Sequence, residues 1–269
     1  MTPIAVTIAG SDSSGGAGVQ ADLKTFSALG VYGASVIAAL TAQNTKGVTA
    51  IHDVPAAFIT AQIDAVFSDL NVGAVKIGML SQPAAIRAVA DGLDKYRQDK
   101  VVLDPVMVAA SGDRLLAAEA VEVLRRVLIP RALVITPNLP EAAALLETAV
   151  AQTEAQMQEQ GDKLLALGAR AVLIKGGHGG GAESVDLLIE PNAVTRLAAA
   201  RVVTANTHGT GCTLSSAVAA GLARGLALGE AVREAKAYLT AAIGAADALS
   251  IGHGAGPVHH FHVWWRGRA

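Results

Sequence analysis

The sequence has a single cysteine, Cys212, in 269 residues, so no disulfide can form within the chain. Its start, MTPIAVTIAG, lacks the basic segment and long apolar stretch of a secretory signal. Both absences predict a cytoplasmic location. Excess charge is missing too: 21 Lys and Arg face 23 Asp and Glu for a net −2, and neither sign runs in blocks. That excludes the electrostatic footprint of a nucleic-acid or anionic-membrane binder and leaves a small molecule as the default partner. Although 52% of residues are apolar, charges or glycines interrupt every stretch before the roughly 18 residues that would read as a membrane span.

Several phosphate and metal motifs are absent as well. No G-x-x-x-x-G-K-[ST] occurs, which excludes a P-loop enzyme, and GSDSSGGAG does not fit the G-x-G-x-x-G dinucleotide fingerprint. Neither H-E-x-x-H nor paired C-x-x-C is present to suggest zinc. If phosphate is handled here, a different scaffold does it.

What the chain does contain is an alternation of short apolar runs with longer stretches of helical period, the pattern of a mostly parallel sheet covered by helices. The strand candidates are IAVTIAG (4–10), ASVIAAL (34–40), VGAVKIG (72–78), KVVLDPV (100–106), ALVITPN (132–138) and AVLIKGG (171–177). Between them, Pro55–Leu70 opens with proline in its first turn and sets Ile59, Ile63, Val66 and Leu70 on one face, as a helix does. After Gly177, SVDLLIE and VTRLAAARVV read as two strands joined by PNA, an antiparallel hairpin at one sheet edge. Helices over 210–227 and 229–249 close the chain. The length suits one large α/β domain or two small ones, and no break in composition favours two; residues 1–269 are expected to form one domain.

Five of these strand ends run into polar or glycine-rich turns: AGSDSSGGAG, TAQNTKG, LDPV, TPNLPE and KGGHGG. Ligands of open α/β sheets bind at the carboxyl ends of the strands, so the turns are expected to converge on one site. The segment NTHGTGCTLSSAVAAGL adds a further candidate. Gly209 and Gly211 leave backbone N–H groups unhindered, and the helix that follows aims its positive end at the same point, an arrangement suited to phosphate. The alternative is a tight turn with Thr210 as helix cap. Cys212 in that first turn is expected to have its pKa lowered from about 8.5 by the helix end and its N–H groups, which makes it a plausible base; the alternative is a small buried hydrophobe. Lys175 ends an apolar strand, where a lysine is costly unless an anion meets it.

TIAGSDSSGGAGVQADLKT, TAQNT, KIGML, VLDPVM, TPNLPEA, IKGGH and NTHGTGC, in that order, resemble the hydroxymethylpyrimidine/phosphomethylpyrimidine kinases of thiamine biosynthesis, as does the closing GHGAGPVHHFHVWW. The resemblance covers essentially the whole chain. It implies the ribokinase-like fold, a three-layer α/β/α sandwich with a mostly parallel central sheet and an antiparallel edge. It also implies that ATP and magnesium serve two successive phosphorylations of 4-amino-5-hydroxymethyl-2-methylpyrimidine, in a homodimer.

On this resemblance Gln43 reads the pyrimidine, and its carboxamide offers one donor and one acceptor to the ring nitrogen and exocyclic amine. Gly10, Ala17, Met79 and Val106 surround the ring, and Asp22 is an acid near the substrate, unless it only lies on the first helix's exposed face. Lys175, Thr210 and His178 approach the phosphates, although a glycine-flanked histidine equally fits an exposed loop. Asn138 and Glu141 match the N-x-x-E motif that positions magnesium and its waters, with Asp104 joining through water; helix capping is the alternative for Asn138. Where much of the wider fold carries an aspartate base after G-T-G, this chain has Cys212, which with Gly209, Thr210, Gly211 and Lys175 forms the expected catalytic set.

The histidines 253, 259, 260 and 262 have no acid or cysteine in ligand spacing and are read as structural. Ala109–Arg114 and the TANTHGTG approach to Cys212 are expected to form a mobile cover. A pyridoxal or pyridoxine kinase of the same fold is the runner-up. A non-catalytic nucleotide-binding regulator is disfavoured, because base, lysine and acidic motif are all present without a helix-turn-helix.

Overall fold

The computed structural model describes residues 1–107, 118–178 and 180–265. In chain order the elements are β1 (Ile4–Gly10), α1 (Gly18–Ala28), β2 (Tyr32–Asn44), β3 (Gly47–Asp53), α2 (Ala56–Phe67), β4 (Ala74–Ile77), α3 (Pro83–Lys95) and β5 (Val101–Leu103). Then come α4 (Ala118–Val123), which runs on into a wider helical turn, β6 (Val134–Ile135), α5 (Leu139–Leu146), α6 (Glu154–Leu165), β7 (Val172–Ile174), β8 (Glu183–Glu190), β9 (Ala193–Ala200), α7 (Thr210–Ala223) and α8 (Leu228–Gly244).

All nine strands form one sheet in the order β3-β2-β1-β4-β5-β6-β7-β8-β9. The six strands from β2 to β7 pair in parallel. Residues of β4, β5, β6 and β7 are buried throughout, because helices cover both faces of a parallel sheet. On one face α2, α3, α5 and α6 pack Ile59, Ile86, Leu145 and Leu164 against Val6, Ile8, Val75 and Ile77. On the other, α1, α7 and α8 pack Phe26, Val218 and Val232 against Ala5, Ala74, Val102 and Val134. This is the expected three-layer sandwich, with the predicted β8–β9 hairpin at one edge.

The other edge differs from expectation. Gly47–Asp53 is a strand, antiparallel to β2, and β2 runs on to Asn44 to meet it. Its side chains are half-buried or exposed, so the segment carries no core periodicity to read. β5 and β6 are also shorter than the expected segments 100–106 and 132–138. Pro105 and Pro137 follow β5 and β6 closely, and a residue without an N–H cannot continue a ladder. Asp104 and Asn138 therefore stand at the mouths of loops.

The connections leaving β1 and β4 diverge, one toward β2 and the other toward β5. This opens a crevice at their carboxyl ends, where open α/β sheets place ligands.

Candidate active site

Strand alternation builds the floor of the site. Because Ala5, Ala74, Val102, Val134 and Leu173 face α1, α7 and α8, a period of two turns Thr7, Lys76, Asp104, Thr136 and Lys175 to that same face. A row of polar groups thus lies beneath α7, at the ends of adjacent strands. A cavity of about 700 Å³ opens above it, lined among others by Gly10, Gln43, Asp104, Glu141, Lys175 and Cys212. Turns from all five predicted strand ends contribute to its wall, as expected.

The glycine turn before α7 is built for close approach. Gly209 is the N-cap, with φ +79°, and a Cβ there would run into the carbonyl oxygen of Gly16. Thr210 is the first helical residue; no side chain caps the helix. The threonine-cap alternative therefore gives way to a helix end without a side-chain cap: the Thr210 N–H meets the Thr207 carbonyl at 3.3 Å, and the N–H groups of Gly211 and Cys212 have no partner within the helix. Gly211 lies next to Lys175 Nζ and Asp104 Oδ2.

Cys212 occupies the third helical position and faces the cavity. The expected lowering of its pKa is overturned. Burial pushes the thiol up to about 11; Lys76 and a Gly18 N–H work against that rise, while Asp22 and Asp104 add to it. Desolvating a thiolate outweighs the partial charge of the helix end.

Lys175 meets its anions within the chain, as its strand-end position requires. Its ammonium is 2.7 Å from Asp104 Oδ1 and 3.8 Å from Glu141 Oε2. Asp104 also accepts from Thr136 at 2.9 Å and from Ser215 at 3.3 Å. Although burial opposes ionisation, Lys175 and Lys76 hold Asp104 below the usual carboxylate range. Asn138 and Glu141 form a reciprocal capping box at the start of α5, each accepting the other's backbone N–H at 2.8 Å. The capping alternative for Asn138 is thus realised, and Asn138 still lines the cavity. Burial pushes Glu141 up to about 7, with Lys175 opposing and Asp104 adding to the rise. Two buried carboxylates with too little positive charge between them suit a hard dication, so the donor set fits magnesium.

Gly10, Ala17, Met79 and Val106 also line the cavity. Gln43 joins them after an irregularity in the β2–β3 register between Ala42 and Gln43. Its side-chain oxygen accepts from Thr41 at 3.1 Å, which leaves the amide nitrogen and a second lone pair free for a ligand edge.

Asp22 is a correction. Its carboxylate is fully buried beneath the cavity, where it binds Lys76 at 2.8 and 2.9 Å, Thr7 at 2.6 Å and Ser216 at 2.6 Å. It neither touches the cavity nor lies on an exposed helix face. His178 ends a short turn, and its side chain, like the segment Ala109–Arg114 of the expected cover, lies outside the described residues. Of the four C-terminal histidines, His259 and His260 are buried, and His260 meets Thr213 at 3.1 Å. Among the described residues no group of three or more His, Cys, Asp or Glu is placed to hold a metal ion.

Sequence reasoning missed Lys76 and the pair Asp12–His208. Asp12 accepts from His208 at 2.8 Å and from the backbone of Ser14, Gly16 and Ala17. Burial opposes its ionisation, but His208 and these donors hold it down at about 2. The pair clasps the first-strand loop, which carries Ala17, to the turn that carries Gly209. Lys76 had the same signal as Lys175, a lysine inside an apolar strand. Asp12 offered none beyond a small-residue loop.

An α/β/α sandwich of this topology, whose cavity is lined by a glycine-opened helix end, a lysine, a carboxylate pair and a hydrogen-bonding amide, defines a small-molecule kinase of the ribokinase-like class. The family model for phosphomethylpyrimidine kinase matches residues 12–259. The chain belongs to that family. It is 61% identical over 266 residues to the hydroxymethylpyrimidine/phosphomethylpyrimidine kinase of Rhizobium meliloti, covering 99% of this chain and 100% of the relative. A crystal structure of phosphomethylpyrimidine kinase from Clostridium difficile superposes with a TM-score of 0.79 at 48% identity, covering 89% of this chain and 99% of that one. The ADP complex of Bacillus subtilis pyridoxal kinase gives 0.91 at 37% identity, covering 98% and 99%.

Proposed function

We propose that this protein transfers phosphoryl groups from ATP to 4-amino-5-hydroxymethyl-2-methylpyrimidine and then to its monophosphate, giving the pyrophosphate used in thiamine biosynthesis. The observation that carries the proposal is the placement of Cys212, Gly209 and Gly211 at a helix end without a side-chain cap, inside the same cavity as Gln43. The 61% identity to a kinase of that name over the whole chain favours the pyrimidine over pyridoxal. The high TM-score to pyridoxal kinase makes pyridoxal the necessary comparison substrate.

In this reading Gln43 pairs with the ring edge while Met79 and Val106 flank it. The Gly209–Gly211 N–H groups and Thr210 face the migrating phosphoryl group, and Lys175 faces the phosphates. Val202, Leu239, Thr240 and Ile243 line the part of the cavity left for the nucleotide base. Glu141 and Asn138, with Asp104 through water, would hold magnesium, which supplies charge neutralisation at the phosphates when bound. Cys212 takes the hydroxymethyl proton. We further read the chain as one kinase domain over residues 1–269, cytoplasmic and homodimeric; the continuous sheet, the lone cysteine and the family resemblance support these readings respectively. No described helix is long and apolar enough to cross a membrane.

The test uses single-turnover rates of both steps, with pyridoxal as a control. A thiol pushed up to about 11 is protonated at rest, so a base role makes the first phosphorylation rise about tenfold per pH unit between pH 7 and 9. Cys212→Ala should remove that slope and cost roughly 10²-fold, the usual scale of a lost general base. The second step should suffer less, since a phosphate monoester with its second pKa near 6 is already an anion. Equal losses in both steps and an unchanged slope would make Cys212 a wall of the anion site and not the proton acceptor. Faster turnover of pyridoxal than of the pyrimidine would overturn the substrate.

A further inference from the structure

In the floor of the same cavity lies a buried ion pair that has no task in the proposed transfer. Lys76 is fully buried, yet it lines the cavity. Its ammonium binds both oxygens of Asp22, at 2.9 and 2.8 Å. Asp22 in turn accepts from Thr7, the register partner of Lys76 on the neighbouring strand, and from Ser216, one turn along α7 from Cys212. The pair therefore ties β1, β4 and α1 to the helix that carries the thiol. Gly78 helps to make the space, because a Cβ there would come within 2.8 Å of the Lys76 ammonium.

A pair of this kind is an expensive way to stabilise a fold, since apolar residues of similar volume often serve as well or better. Lys76 and Cys212 line the same cavity, and Ser216, one turn from the thiol, holds the same carboxylate as Lys76. We propose that Lys76 is a positioning residue for the phosphoryl transfer, its ammonium fixed by Asp22 so that positive charge acts on Cys212 while the thiol becomes a thiolate and takes the substrate's proton. This rests on the reading of Cys212 as proton acceptor. Lys76 keeps its own proton throughout: Cys212 first gives its proton to solvent; then the O–H bond of the hydroxymethyl group breaks and an S–H bond forms, the oxygen's electron pair bonds the γ-phosphorus of ATP, and the bond from that phosphorus to the β,γ-bridging oxygen breaks as ADP leaves with its electron pair.

The other charges around Cys212 do not supply the same help. Asp22 and Asp104, on α1 and after β5, disfavour the thiolate, and Lys76 is the foremost of the groups that favour it. Lys175, after β7, also feels the thiolate, but it is bound up with Asp104 and Glu141. On α8, Lys236 is paired with Asp186 at 2.8 Å. His208, before α7, is paired with Asp12, and His260, beside Thr213, is pushed down to about 4 by burial and is neutral at working pH. Lys76 itself is held above the ordinary lysine range: burial opposes this, and Asp22 leads the groups that outweigh it.

Because Cys212 is the only cysteine in the sequence, alkylation by iodoacetamide reads its thiolate without any kinase assay. The experiment compares wild type, Lys76→Met and the neutral double variant Lys76→Met/Asp22→Asn at pH 8.5. Removing the ammonium raises the thiol pKa. Removing Asp22 as well gives part of that back, so alkylation should be fastest in wild type, slower in the double variant and slowest in Lys76→Met. Each tenfold loss of thiolate slows the reaction only about threefold, since the remaining thiolate is the better nucleophile. A loss of about threefold or more in the double variant is therefore the expected result. If Lys76→Met fails to fold because Asp22 is stranded, the double variant decides alone. An alkylation rate equal to wild type in a double variant whose fold is confirmed by circular dichroism overturns the proposal. Slower alkylation with an unchanged first-step rate would keep the role of Lys76 toward the thiol and remove Cys212 as base.

Discussion

Replacing Asp22 by alanine separates a substrate contact from a structural anchor. The resemblance places this acid beside the substrate, whereas the structure buries it under α7 with Lys76, Thr7 and Ser216 as partners. Removing one member of a buried ion pair costs about 3–5 kcal/mol, because the other charge is left without compensation. For a chain of this length about 2 °C of melting temperature accompanies each kcal/mol, so Asp22→Ala should melt about 6–10 °C below wild type. The stranded Lys76 would shed its proton to remain buried, which reverses its linkage. In wild type its raised pKa makes its contribution complete below the ordinary lysine value and lost at higher pH; in the variant its depressed pKa makes the fold gain stability as pH rises. Calorimetry from pH 7 to 9 should therefore show the deficit shrinking upward. A variant that melts within 1 °C of wild type while its KM for the pyrimidine rises tenfold would refute the anchor and restore the substrate contact.

Gln43 is half-buried at the cavity rim, so Gln43→Leu should leave the melting temperature unchanged. It should raise KM for the pyrimidine by the equivalent of about 1–3 kcal/mol, the cost of leaving a buried partner unsatisfied; steady-state kinetics with an unchanged pyrimidine KM would remove the assignment. Glu141, pushed from its ordinary 4.5 up to about 7, holds its proton more tightly in the folded chain than in the unfolded one. Wild type therefore loses stability as pH rises from 4.5 to 7, to a ceiling of about 3 kcal/mol. Glu141→Gln, which keeps the capping geometry, should then match wild type near pH 4.5 and exceed it at pH 8 in chelator, with added magnesium narrowing the gap by raising wild type alone. Parallel melting curves for the two proteins across that range would show that Glu141 carries no such charge.

The parallel half of the sheet was legible because strands covered on both faces must be apolar throughout, and the runs ending at Gly10, Asp104 and Lys175 are. Their boundaries were less so. The expected strands ran on to Val106 and Asn138, but Pro105 and Pro137 end the pairing at Leu103 and Ile135. β3 was invisible for the opposite reason. Gly47–Asp53 buries little, so nothing in its side chains had to follow a period, and its strand geometry comes from backbone pairing with β2. The turn residues at the strand ends could be read because they must approach a ligand, and their composition of glycine, serine and asparagine records that need.

Charge was harder to read than position, and Cys212 gives the reason. The glycine turn and the helix start mark the place of the thiol, and a local argument from that place alone lowers its pKa. A helix end contributes about 0.3–1 kcal/mol to a nearby charge. The thiolate's desolvation depends on tertiary packing that no local window contains, and it is the larger effect. The same remoteness explains Asp22, whose three partners lie 15, 54 and 194 residues away. From its own helix it can be read only as an acid of unknown facing. Yet one inference was within reach: a lysine at Lys76, flanked by Val75 and Ile77, is as costly in a buried strand as Lys175, and the cost argument demands an anion for each. Applied twice, it would have required two acids under α7, and VQADLKT holds one of the few acids near enough in the topology to serve. The sign of a buried group's charge is thus set by the neighbour that compensates it. That neighbour can be sought in the sequence once the strand order is known.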